Sequence, residues 1–183
     1  MRAVTPSMFG ATYEKLERPE GICWPCPTEE HPGTPILHRE KFATADGKGN
    51  LFGIDYRPPA EVADAEYPFT LMTGRLIFHY HSRTQTDRAA DLHREVPESY
   101  AQINIEDARR LGIKNNEYIK LKSRRGETTT LARVTDEVAP GVVYMTMHFA
   151  DGVNNLTNTV LDPMSKMPEL KHCAISIEKV GGN

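Results

Sequence analysis

Phe69-Thr70-Leu71-Met72-Thr73-Gly74-Arg75 is the stretch on which the reading of this chain turns. Phe69 to Thr73 carry side chains that suit a pleated, half-buried surface, so they read as a strand. Gly74 stops it, and Arg75 stands just beyond its end. Glycine there leaves room for close approach of another group, and the arginine fork suits phosphate geometry.

Beyond Arg75 the character changes. Leu76 to Leu92 is crowded with His, Ser, Thr, Arg and Gln and has no apolar period, which predicts a polar loop with room for a helical turn. Ala101 to Ile105 reads as a second strand leading into a short helix, Glu106 to Leu111. Asn104 suits the N-cap, Glu106 and Asp107 favour the positive end of the dipole, and Gly112 supplies the stop. Tyr118 to Ser123 alternates Ile119 and Leu121 with Lys120 and Lys122, and Gly126 turns the chain into Thr128 to Val134, a β-hairpin. After Ala139-Pro140-Gly141, Val142 to Met147 is a β-branched and aromatic strand, and Ala174 to Val180 is the last. Six or so short strands with one short helix between them predict a mainly β chain closed into a barrel.

On the N-terminal side the reading is different. Nine of the 13 prolines lie within the first 68 residues, so this part is expected to be extended or looping. We therefore expect an extended Pro-rich arm over residues 1–66 that wraps a barrel domain over 67–183. Within the arm, the turn cluster Asp46 to Asn50 introduces Leu51 to Asp55, which reads as one short strand.

Composition excludes several classes. The 22 basic and 25 acidic side chains are mixed along the chain, with no basic run of the kind that binds nucleic acid. Apolar stretches such as Val142 to Met145 fall far short of the ~20 residues that span a bilayer. Residues 1–10 lack the apolar core of a signal peptide, and three cysteines cannot supply a disulfide framework. A cytoplasmic, reducing compartment is the expectation, with a periplasmic parent chain left open.

Taken in order, several motifs resemble the C-terminal domain of the molybdopterin oxidoreductase family, in particular that of formate dehydrogenase catalytic subunits. They are Gly21-Ile22-Cys23-Trp24-Pro25-Cys26-Pro27; Thr73-Gly74-Arg75 with His79-Tyr80-His81-Ser82-Arg83-Thr84; Ala101 to Asn104 through Leu111 to Ile113; Ser123 to Gly126; and Asn154 to Thr157 through Pro168 to Lys171. The resemblance implies a double-psi β-barrel that binds molybdopterin guanine dinucleotide, with molybdenum or tungsten carried by the parent enzyme. It implies as partners the remainder of the catalytic subunit, whose other domains supply an iron–sulfur site and the metal ligand. No residue of this chain is assigned to catalysis or to a metal, and the chain alone is not expected to turn over formate.

A pterin dinucleotide presents phosphates, a ribose and flat heterocycles, so its site needs a cation, several donors and close backbone approach. The resemblance places Thr73, Gly74, Arg75, Leu76, Ile77, His79, His81, Ser82 and Thr84 in that site. It adds Met147 and His148 at a strand end, Asn154 after them, and Lys171 before the last strand. The residues alone leave other readings open: a polar surface loop with Arg75 in a weak ion pair, turn-forming Asp151-Gly152 and Asn154-Asn155, and Met145, Met147, Met164 and Met167 as packing side chains.

Two further classes remain. Double-psi barrels also serve as protein-interaction modules, because fold does not fix function. Cys23-Trp24-Pro25-Cys26, with His31, has the spacing of a thiol or zinc protein. The surrounding prolines argue against the helix N-terminus that activates such a thiol pair, so a packing role for the pair is the expectation.

Overall fold

The computed structural model describes residues 2–180. The chain divides into two compact units, Met1–Tyr56 and Arg57–Asn183.

In the first unit the described elements are short helical turns, including α1 (Tyr13–Leu16), whose N-cap Thr12 accepts a hydrogen bond from the Lys15 amide. Lys15 then reaches the carbonyls of Glu29, at 2.5 Å, and His31, at 2.9 Å, and so closes the loop that follows Cys26. The strand expected over Leu51 to Asp55 is not formed. The reason is physical: a strand exists only by pairing, and the described residues of this unit include no other strand.

The second unit is a closed six-stranded barrel built from β1 (Phe69–Gly74), β2 (Tyr100–Asn104), β3 (Tyr118–Lys122), β4 (Glu127–Thr135), β5 (Val142–Thr146) and β6 (Cys173–Lys179), in the order β1-β5-β2-β4-β3-β6. Two pairs are parallel, β1 with β5 and β2 with β4, and the rest are antiparallel. Closure removes every free edge. The mainly β barrel anticipated from the sequence is the fold observed, with strand ends shifted by a residue or two.

Period-two alternation fills the interior. Leu71, Ile103, Ile119, Leu121, Ala132, Val143, Met145 and Ile175 are fully buried, each large aliphatic contributing roughly 1.5–3 kcal/mol of transfer free energy. Helix α3 (Ile105–Leu111) begins as read: the Asn104 side chain accepts the Glu106 amide at 2.8 Å. It ends on Gly112 at φ 66°, where a side chain would be strained. The expected polar loop after β1 holds more regular structure than its composition suggests, a 3₁₀ turn over Thr86–Arg88 and helix α2 (Ala90–Glu95).

The strand registers decide where the loops meet. Gly74 lies opposite Thr146, Leu71 opposite Cys173, Ala101 opposite Met145, and Lys122 opposite both Glu127 and Ser176. The C-terminal ends of β1, β3 and β5 and the N-terminal ends of β2, β4 and β6 therefore form one rim. Residues 75–99, 123–126 and 147–172 all emerge there, whereas α3 and the β4–β5 turn belong to the other rim.

Candidate functional site

All thirteen residues singled out in the sequence stand on or beside this one rim, but the fold uses them in two ways. One group is turned inward. Thr73 is buried, and its hydroxyl donates to the Leu170 carbonyl at 2.8 Å, which ties the end of β1 to the segment bearing Lys171. His148 is 1% exposed. Its Nε2 accepts the Leu76 amide at 2.8 Å, so the proton must sit on Nδ1, which donates to the His81 carbonyl at 2.5 Å. Both ring nitrogens of His148 are thus spent on holding the 76–81 loop.

His79, also buried, has the opposite tautomer. Its Nε2 faces the Val96 carbonyl at 2.7 Å and must donate, leaving Nδ1 to accept from the Thr86 hydroxyl at 3.2 Å. The two imidazoles meet edge to face, with centroids 6.0 Å apart, and His79 makes a similar contact with Phe149. Met147 packs half-buried against the core, and its amide donates to the Gly74 carbonyl at 3.0 Å.

The other group faces outward: Arg75, Ile77, His81, Ser82, Thr84, Asn154 and Lys171 are all exposed. Leu76, half-buried, sits between the two groups. Among the described residues, neither Arg75 nor Lys171 has an ion-pair partner. Several acidic neighbours on this rim are already satisfied, Glu61 by Arg125, Asp64 by Arg124, and Asp87 by Arg83 and His93. The surface ion pair considered for Arg75 is not formed.

The loop also carries backbone strain. His81 and Arg83 lie at φ 45° and 65°, a region that non-glycine residues rarely enter. Arg83 helps to hold it: its guanidinium lies 4.1 Å from the Phe149 ring centroid and pairs with Asp87 at 3.5 Å.

Sequence reasoning missed a second fastening of the rim. Arg125 forms a two-pronged pair with Glu61, and its guanidinium donates twice to the Leu156 carbonyl, at 3.1 and 2.8 Å. Glu61 also accepts the Ala174 amide at 2.6 Å. This one pair therefore ties residue 61, the hairpin turn, the start of β6 and the segment that bears Asn154. The Arg125 hydrogen bond holds the Glu61 carboxyl below the usual range, against the opposing effect of burial. Cys173 lies beside them, buried, and burial pushes its thiol up to about 11.

Nearby, the buried Asn158 donates to Glu169 and to the His172 carbonyl, both at 2.8 Å. Met164 and Met167 at the tip of that loop are exposed, so the packing role expected of them is not met within this chain, whereas Met145 does pack in the core.

In the other unit, Cys26 is buried with its sulfur near the Thr28 and His31 carbonyls, and Cys23 is exposed. No helix begins at the pair, so the activated-thiol geometry is missing. Among the described residues no group of three or more His, Cys, Asp or Glu is placed to hold a metal ion.

The barrel and its rim correspond to a known family. Residues 69–174, more than half of the chain, match the family described as molydopterin dinucleotide binding domain. The chain belongs to this family. It is also 51% identical, over 97% of its length, to F420-dependent formate dehydrogenase 1 subunit alpha of Methanococcus maripaludis. It is 39% identical, over 98% of its length, to formate dehydrogenase H of Escherichia coli. The chain spans about a quarter of the length of these curated relatives, 26% in both cases. Acetylene hydratase from Pelobacter acetylenicus shares the fold, with a TM-score of 0.54 at 17% identity over 62% of this chain and 18% of that one.

The molydopterin-binding family includes the stretch from β1 to the start of β6 and so contains the whole rim. The donor set fits such a ligand: the cations at residues 75 and 171, without an ion-pair partner among the described residues, suit phosphates, and hydroxyl, imidazole and amide groups at 81, 82, 84 and 154 suit a ribose and ring edges.

Proposed function

We propose that the rim binds molybdopterin guanine dinucleotide, and that the chain is the cofactor-binding domain of a formate-dehydrogenase-like molybdenum or tungsten oxidoreductase. The observation that carries this reading is the unpaired Arg75, set just past Gly74 on a loop whose conformation is locked by buried histidines. A cation kept free of internal carboxylates is ready for an anionic ligand, and its loop need not reorganise on binding.

In this reading Arg75 and Lys171 meet phosphate oxygens, while His81, Ser82, Thr84 and Asn154 offer hydrogen bonds to sugar and ring. Ile77, almost fully exposed, covers the apolar face of a flat group. Thr73, His79, Met147 and His148 position these groups from beneath. The bound cofactor supplies the metal-centred redox chemistry. This chain binds and orients it and excludes water from one side. The curated relatives support formate as the substrate of the complete subunit, and the remainder of that subunit is the partner.

The test uses guanosine diphosphate, the terminal half of the dinucleotide. Titrated into the isotope-labelled chain, it should shift the resonances of Arg75, His81 and Asn154 and leave those of α3 unchanged. Unmoved rim resonances at millimolar nucleotide would overturn the assignment.

A further inference from the structure

Leu51-Phe52-Gly53-Ile54-Asp55-Tyr56 has the composition of a strand and none of the pairing. Among the described residues, no backbone N–H or C=O from Asn50 to Arg57 enters a hydrogen bond. Its large apolar side chains are 98% (Leu51), 79% (Phe52), 88% (Ile54) and 85% (Tyr56) exposed. A single exposed apolar residue is ordinary, but four within six residues are not.

In an extended chain the side chains alternate, so Phe52, Ile54 and Tyr56 share one face, and Leu51, Gly53 and Asp55 the other. One face is uniformly large and apolar. The other carries Leu51 only at its first position, then a glycine, beside which an added Cβ meets nothing within 4 Å, and a carboxylate suited to water. That is the pattern of a half-buried edge strand. Its ends are marked: the Thr44–Gly47 turn precedes it, and Pro58-Pro59, which cannot donate, follow it. Six residues span about 20 Å, an ordinary strand length.

Among the described residues no strand offers it a free edge, and the β-pairing outside the barrel is the isolated Leu161–Pro168 bridge. The barrel is closed and has no edge, and the described residues of the first unit hold no strand. About three quarters of the relatives' length lies outside this chain. Resting on the reading of the chain as one domain of a larger catalytic subunit, we infer that Leu51–Tyr56 docks as an added edge strand on a sheet in the remainder of that subunit. Its Phe52, Ile54 and Tyr56 face is buried there. The interaction is β-strand addition, with main-chain hydrogen bonds giving affinity and alternate side chains giving register.

The decisive experiment is hydrogen exchange on the intact catalytic subunit, read by peptides across residues 50–57. An edge strand bonds through alternate residues only, so every second amide should exchange at least about 100-fold more slowly than an unstructured peptide. Ile54→Asp should abolish that protection and Leu51→Asp should leave it. Unprotected amides in the wild-type subunit overturn the inference, as does equal loss in both variants. Protection that appears only as the concentration of the 183-residue chain is raised, and not in the intact subunit, means pairing with a second copy and also overturns it. Guanine nucleotide released from the same preparation reads the cofactor assignment separately. A subunit that retains nucleotide with residues 51–56 unprotected refutes only the docking, and a nucleotide-free subunit with protected residues refutes only the cofactor site.

Discussion

His148 accepts the backbone amide of Leu76 on Nε2 at 2.8 Å and donates from Nδ1 to the carbonyl of His81. One ring thus spans both ends of the six-residue segment 76–81 on the rim and is buried beneath it. Its tautomer follows from this wiring and not from any charge. Nitrogen-detected NMR should show His148 with the proton on Nδ1 and His79 with the proton on Nε2. The same tautomer at both positions would contradict the arrangement.

Truncating the pin should loosen the loop above it. His148→Ala removes a buried side chain and strands one amide and one carbonyl, a cost of about 2–4 kcal/mol from the lost hydrogen bonds and the cavity together. Thermal unfolding measures it. An unchanged melting temperature would mean that the two bonds carry nothing.

Gly74 has a steric reason to be glycine. A Cβ there would stand 2.4 Å from the Tyr144 hydroxyl oxygen and 2.6 Å from its ring, and that hydroxyl donates to the Arg75 carbonyl at 2.8 Å. Gly74→Ala should therefore destabilise the barrel and displace Arg75. Adding Tyr144→Ala should recover roughly 1–2 kcal/mol relative to the sum of the single changes. Strict additivity would show that the two positions do not touch.

Much of this fold was legible locally and some of it could not have been. The strands at 69–74, 118–122 and 127–135 are written in period-two patterns and glycine turns, and the Asn104 cap in the residues next to it. The Glu61–Arg125 pair joins positions 64 apart, with no local signature at either end. His148 reads in the sequence only as a cofactor-site residue, because the partners that make it a pin lie 67 and 72 residues away. Residues 51–55 carry true strand propensity, but propensity cannot supply the neighbour to pair with.

The Glu61–Arg125 fastening should make the second unit sensitive to acid. The folded-state pKa of Glu61 is depressed below its ordinary 4.5, chiefly by the Arg125 hydrogen bond. Its stabilisation is therefore complete above about pH 4.5 and is lost as pH falls through the lower folded value. Glu61→Gln should lower stability at pH 7 and flatten the decline below pH 4.5. Parallel stability curves for the two proteins would rule the pair out as a contributor.

The three cysteines should differ in reactivity. Cys23 is exposed, Cys26 and Cys173 are buried, and the Cys173 thiol is held up at about 11, so it stays protonated at pH 8. Alkylation of the native chain at pH 8, read by mass spectrometry, should label Cys23 first and spare Cys173 until the chain is unfolded. Rapid labelling of Cys173 would contradict its burial beside Arg125.

The central claim is that the rim past Gly74 holds a pterin dinucleotide through a cation kept free for it. The most direct measurement is the guanine nucleotide released, with its metal, from the intact catalytic subunit carrying Arg75→Ala, compared with Arg109→Ala on helix α3 at the opposite rim. Losing a charge-assisted pair worth about 1.5–3 kcal/mol should cut cofactor retention roughly tenfold or more. The Arg109 variant should stay fully loaded. Equal, wild-type cofactor content in both variants would contradict the claim.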